Sequence, residues 1–208
     1  MPASESRYDE SMKKLLAIVI LSLFLITPSQ ADDIRDFQIE GISIGDSALN
    51  YMDKKKLINT MQYGFGSKEF AFIEIKKKSD TYDEILLLFK PDDKKFIVHS
   101  ISARILYPKD ANSCYVQQKK ITKELFEIFK NKAKKDDQGT YNYKADKTGK
   151  SKVTTINFLL DSGGLAHVGC YKFSKEFRKE RNISEDGMLS IAVGSKEYNE
   201  FQKNRAYK

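Results

Sequence analysis

The first residue of this chain that could do covalent chemistry is a serine placed where a strand turns into a helix. Gly41-Ile-Ser-Ile-Gly45 has the spacing G-x-S-x-G, and Ser47 follows after Gly45 and Asp46. A nucleophile elbow lifts a hydroxyl out of a tight strand-to-helix turn, where a base takes its proton. That base is ordinarily a histidine oriented by a carboxylate. The chain offers two histidines, His99 and His167.

Ile44-Gly-Asp-Ser47 resembles the serine block of the GDSL-type esterases and lipases, with Ala48 where that family carries leucine. The resemblance implies Ser47 as nucleophile and an aspartate three residues before a histidine near the C-terminus. Here Phe96 stands three before His99, and Gly164 three before His167. Gly45, Asp46 and Ser47 therefore read first as a turn and helix cap, and a Ser47 esterase is the alternative function.

Other patterns stop short of chemistry. Gly149-Lys-Ser151 ends like a phosphate-cradling loop, but Lys144 occupies the place of the required first glycine. Two distant histidines, with His99 expected on a core face, make a poor metal set, and the acids before Gly149 do not form a calcium ladder. No metal or cofactor is expected.

Basic side chains gather at Lys54–Lys56, at Lys76–Lys78 and at Lys119, Lys120 and Lys123; the formal net charge is +7. Thirty of the 36 cations are lysine, which bind phosphate as point charges rather than by the bidentate fork of arginine. Solvation is the ordinary role of such faces. Attraction to an anionic partner through Lys119, Lys120 and Lys123 is their functional reading. Nucleic acid is disfavoured, because binders interleave such charges with exposed aromatics or arginine, whereas Phe126 and Phe129 are expected at or beside core positions.

The residues that bear on location lie near the N-terminus. From Met12 to Ala31 the chain reads MKKLLAIVILSLFLITPSQA: two lysines, an apolar run from Leu15 to Ile26, then small residues at Ser29 and Ala31. This is an export signal with cleavage expected after Ala31. Its apolar run is too short for a membrane span of roughly 18 residues or more, and no cysteine adjoins the cleavage point to carry a lipid. Glu5, Asp9 and Glu10 clash with a positive leader, so residues 1–11 are expected to be an extension ahead of a true start at Met12. A periplasmic or secreted protein of residues 32–208 follows. Its two cysteines, Cys114 and Cys170, are expected to form a disulfide.

These groups must be positioned by a chain whose periodicity changes along its length. Alternating Phe37, Ile39, Ile42 and Ile44 predict a strand ending at Gly45. Ser47 or Asp46 caps a short helix, and Asp53 caps another over 54–60. Strands are expected over 70–77, 84–89 and 96–107, the last placing Ile97, His99, Ile101, Ala103 and Ile105 on one face. Ile121, Leu125, Ile128 and Phe129 form the stripe of a helix from Asn112 to about Lys135, capped by Asn112 or Ser113. Residues 135–152 read as an exposed loop, a candidate boundary between two small subdomains. A hairpin over 153–173, a Ser174-capped helix, a strand at 188–193 and a final helix complete the chain. Short turns between neighbouring strands imply antiparallel pairing, and the fold class is α+β.

GISIGDSALNYM, the strand ending before Cys114 and a lysine-rich helix, and the late DKTGKSKV hairpin with Cys170 resemble small exported proteins of Pelagibacter-like marine alphaproteobacteria. That resemblance implies a periplasmic location and a cysteine pair, with no catalytic residues. A fainter likeness, in the Ile-x-Ile-Gly turn, is to envelope lipoproteins of the SmpA/OmlA type; the chain departs from them in lacking their lipid-bearing cysteine and their Leu-Gly-x-Pro helix end. The expected function is a non-enzymatic binding or scaffold module for an envelope protein, peptide or anionic polymer.

Overall fold

The computed structural model describes residues 34, 37–75, 79, 81–129 and 131–206. The export signal, the Met12 start and Lys76–Lys78 lie outside the described residues.

The first expected strand is broken in two. Glu40 and Gly41 both take positive φ, 54° and 74°, the left-handed pair that a two-residue hairpin turn needs. They join β1 (Gln38–Ile39) to β2 (Ile42–Ser43). Ser47 then caps a 3-10 turn over Ala48–Asn50 by accepting from Leu49 N–H, and Asp53 caps α1 (Lys54–Thr60) by accepting from Lys56 N–H. The short polar side chains expected at these helix starts satisfy amides that have no intrahelical partner.

The remaining strands are β3 (Ala71–Ile75), β4 (Glu84–Phe89), β5 (Val98–Tyr107), β6 (Ala133–Asn142), β7 (Lys152–Leu160), β8 (Leu165–Lys172) and β9 (Gly187–Gly194). They form one antiparallel sheet in the order β3-β4-β5-β9-β8-β7-β6. Helices α2 (Ala111–Phe129), α3 (Lys175–Arg181) and α4 (Lys196–Asn204) complete the α+β architecture. The late strand β9 pairs with β5 on one side and β8 on the other, so the two strand groups share a single sheet.

Three local expectations are corrected. Residues 135–152 are not a loop: β6 runs through their first half along the sheet edge. Its polar sequence is what an edge exposed to water carries, and hydroxyl contacts from Thr140 to Thr154 (2.7 Å) and Tyr141 to Thr155 (3.0 Å) replace aliphatic packing. Helix α2 accordingly stops at Phe129, and its first turn is held by Asp110, which accepts from Asn112 N–H and Ser113 Oγ–H. His99, finally, does not share a face with Ile101 and Ala103. The register slips where Phe89 pairs with Val98 and Leu88 with Ser100, and an extra residue in a strand inverts the alternation beyond it. Val98 takes the core place, and His99 packs edge-on to Phe70 with ring centroids 5.4 Å apart.

One side of the sheet carries the main core. There Ile85, Leu87, Phe89, Ile101, Val168 and Leu189 join Cys114, Ile121, Leu125 and Phe129 of α2 and Ile39, Ile42 and Ile44 of the N-terminal hairpin. The sulfurs of Cys114 and Cys170 lie at disulfide distance, 2.15 Å, with Cα atoms 5.7 Å apart. A smaller cluster of Phe70, Phe201 and Ala206, flanked by Phe65 and Tyr198, seats α4.

Candidate functional site

Ser47 sits in the turn that its neighbours predict. Its hydroxyl donates to the Lys95 carbonyl at 2.6 Å while accepting from Leu49 N–H at 3.2 Å. Asp46 is turned inward, accepting from Ser43 N–H and from the Tyr51 hydroxyl. Neither imidazole hydrogen-bonds to Ser47.

His99 lies beside Ser195 Oγ (3.3 Å) and Glu197 Oε2 (3.4 Å), but both meet the same nitrogen, Nδ1. A proton relay needs its two partners on opposite ring nitrogens. Ser195 is also the cap of α4, accepting from Tyr198 N–H, and Glu197 pairs with Lys90. Burial lowers the His99 pKa, with Lys90 adding to the effect and Glu197 and Asp93 opposing it. The cluster is thus a polar rim over the Phe70 ring.

The predicted basic face of α2 is partly assembled into a groove. Lys119 and Lys123, one helical turn apart, line a cavity of about 460 Å³ between α2 and the β6–β7 edge, where Lys135 of β6 joins them. Asp137 supplies the single acid of that lining. Thr122, between the two lysines, is 5 % exposed, and its hydroxyl has no hydrogen-bond partner. Gln118 closes the floor by donating to the carbonyls of Thr154 and Val168. Lys120 does not line this groove and stands by Glu124, whose pKa burial raises against the pull of that lysine. Phe129 is core, but Phe126 turns outward, 44 % exposed, into the groove wall. Lys135 was invisible to a sequence reading that placed it in a loop. Only the β6–β7 pairing brings it opposite α2.

A second cavity, about 400 Å³, opens on the other face of the sheet. Its floor is made by β5, β9 and β8, where register sets Ser102, Ala192 and His167 in one row and Arg104, Ser190 and Gly169 in the next. Gly169 is required there: a Cβ would stand 2.6 Å from His167 Nε2 and 2.9 Å from the Tyr171 ring. His167 Nδ1 meets Asn157 Oδ1 at 3.1 Å, and burial pushes its pKa down to about 4. The imidazole is therefore neutral near pH 7. A neutral imidazole carries one N–H and one lone pair, so with Nδ1 engaged by Asn157 the ring has Nε2 as its second polar atom.

The Gly149-Lys-Ser151 turn holds no phosphate-type cradle. Instead the buried carboxylate of Asp146 accepts from the amides of Thr148 and Ser151 and from Ser174 Oγ, tying the β6–β7 turn to the start of α3. Burial alone would raise its pKa, but hydrogen bonds from Ser151 and Thr148 outweigh that and hold it far below the carboxylate range. Among the described residues no three of His, Cys, Asp and Glu come together as a metal set, and no helix is long and apolar enough to cross a membrane. Comparison with family models, curated proteins and solved structures finds no match.

Proposed function

We propose that this is an exported, non-enzymatic binding module that takes an anionic polymer of the cell envelope along the groove between α2 and β6. The observation that carries the reading is the convergence of Lys119, Lys123 and Lys135 from two separate elements on one groove with a single opposing acid. Three ammonium groups around a depression attract a chain of negative charges without demanding one fixed geometry, as suits lysine rather than arginine. The outward Phe126 ring adds an apolar wall beside them. Export is supported by the leader-like residues 12–31 and by a cysteine pair at disulfide distance, a bond that persists in oxidising compartments. Against the esterase alternative stands the Ser47 hydroxyl itself, whose proton is given to a backbone carbonyl.

Titration with polyphosphate, a linear polyanion, tests the reading. Binding is expected at low salt, weakening as salt screens the lysines, and replacing Lys119, Lys123 and Lys135 together by Gln should weaken it by ~10-fold or more. Equal binding by the triple variant, or binding that salt leaves unchanged, would refute the groove as the site.

A further inference from the structure

The cavity on the opposite face has the reverse electrostatic character. Among the described residues Arg104 is the one charged group that lines it, and the guanidinium already gives an N–H to Glu84 Oε2 at 3.1 Å. The neighbouring His167 is neutral, as derived above. With Arg104 already paired, an ionic ligand would lose its hydration there without gaining a free counter-ion, a cost that generally exceeds the return.

Polar groups nevertheless remain unmatched within this trough. Arg104 Nε–H is buried with no acceptor. Ser102 and Ser190 share one hydrogen bond between their hydroxyls, 3.2 Å apart, which leaves one O–H proton of the pair to give elsewhere. The hydrogen bond of His167 to Asn157 is made through Nδ1, which leaves Nε2 without a partner among the described residues. The serine hydroxyls of β5 and β9 and the imidazole of β8 line a common space. They lie two strand spacings apart, about 10 Å from β5 to β8.

Aromatic rings wall the same space at both ends. Phe65, Phe72 and Tyr198 stand on the β3–α4 side, and Tyr143 and Tyr171, stacked edge to face at 5.3 Å, on the other. The floor between them is low where Ser102, Ser190, Ala192 and Gly169 stand. A flat ligand with C–H faces could lie against the rings while its edges exchange hydrogen bonds with the floor.

We infer that this open-face trough is a second binding site, for a neutral polyhydroxylated ring ligand: a saccharide of about two units. Each hydroxyl of such a ligand is both donor and acceptor, which answers the serine pair and His167 together whichever proton each carries, and its ring faces are apolar enough for the tyrosines. A free carboxylate answers only donors and finds Arg104 already paired with Glu84. The site is separate from the lysine groove and does not depend on it.

The test is a titration of the purified protein with neutral hexose and N-acetylhexosamine disaccharides, followed by amide chemical shifts. At least one should saturate with Kd at or below about 1 mM, with shifts centred on Ser102, His167 and Ser190, and a uronic-acid disaccharide should bind more weakly. Ala192→Leu places a side chain in the trough between Ser102 and His167 and should abolish saturation. Ser190→Ala, a milder change that keeps the floor, should weaken binding by ~10-fold. Polyphosphate binding should be unchanged by both variants, which separates this site from the lysine groove. No saturation by any neutral disaccharide, shifts centred away from these strands, or preference for the uronic acid would each overturn the inference.

Discussion

On one face of the sheet, Ile85, Leu87, Phe89, Ile101 and Ala103 are almost free of solvent beneath the N-terminal hairpin and α2. On the other, the same strands β4 and β5, with β9, present Leu86, Leu88, Ser100, Ser102, Ser190 and Ala192 to an open trough. The difference lies in what each face has to bury. Branched aliphatic side chains stabilise a covering helix by roughly 1.5–3 kcal/mol each when removed from water. Serine and alanine contribute too little to hold one down. Leu86 and Leu88 of β4 are themselves buried, and beyond them the small residues of β5 and β9 leave the face open and concave. Charge is divided in the same way: lysines collect at the rim of the covered face, and the charge lining the open trough, Arg104, is paired with Glu84.

This contrast can be broken most forcefully at the covered face. Replacing Cys114 and Cys170 together by Ser, or reducing them, is expected to cost about 4 kcal/mol, since the bridge would close a loop of 56 residues between α2 and β8. Denaturant midpoints with and without reductant measure this, and alkylation under non-reducing conditions should find no free thiol. Equal midpoints would mean that packing alone holds α2 on the sheet.

The open face is tested by acid. The folded pKa of His167 is depressed by burial to about 4, so its contribution to stability is complete above the unfolded value near 6.5 and is lost as pH falls from there through about 4. The loss is at most about 3 kcal/mol. Asp146, whose pKa is also depressed, acts in the same direction at still lower pH. An NMR titration of the His167 ring gives the midpoint directly. A value near 6.5 would show that the trough is wet and remove the basis for a neutral imidazole there.

The smallest effect belongs to a control outside both faces. Ser47→Ala should lower stability by about 1 kcal/mol, the usual worth of a helix cap, and leave any hydrolysis of a chromogenic ester unchanged. A large fall in ester hydrolysis would transfer function from the sheet faces to that turn.

Reading the sequence alone succeeded where the physics is local. Ser47, Asp53 and Ser174 cap the helices that follow them, because a short acceptor side chain competes for free amides within three residues. The stripe of Ile121, Leu125 and Phe129 is buried, since helical period alone decides which side chains share a face. It failed at β6, where an edge strand with both faces in water needs no hydrophobic signal, and at His99, where a one-residue bulge reversed the alternation.

The candidate sites divide along the same line. Lys119 and Lys123 were legible as one face of a helix, and the even cysteine count pointed to Cys114 with Cys170. The arrival of Lys135 opposite them, and the meeting of Arg104, Ser190 and His167 in one trough, were not. Those contacts exist because β9, late in the chain, enters between β5 and β8. Composition and periodicity determined the α+β class, the basic helix and the caps, which depend on neighbours a few residues away. Only the tertiary structure decided which strands became neighbours, because a pairing across some ninety residues, such as Ser102 with Ala192, is chosen by the burial of the whole sheet and leaves no local mark.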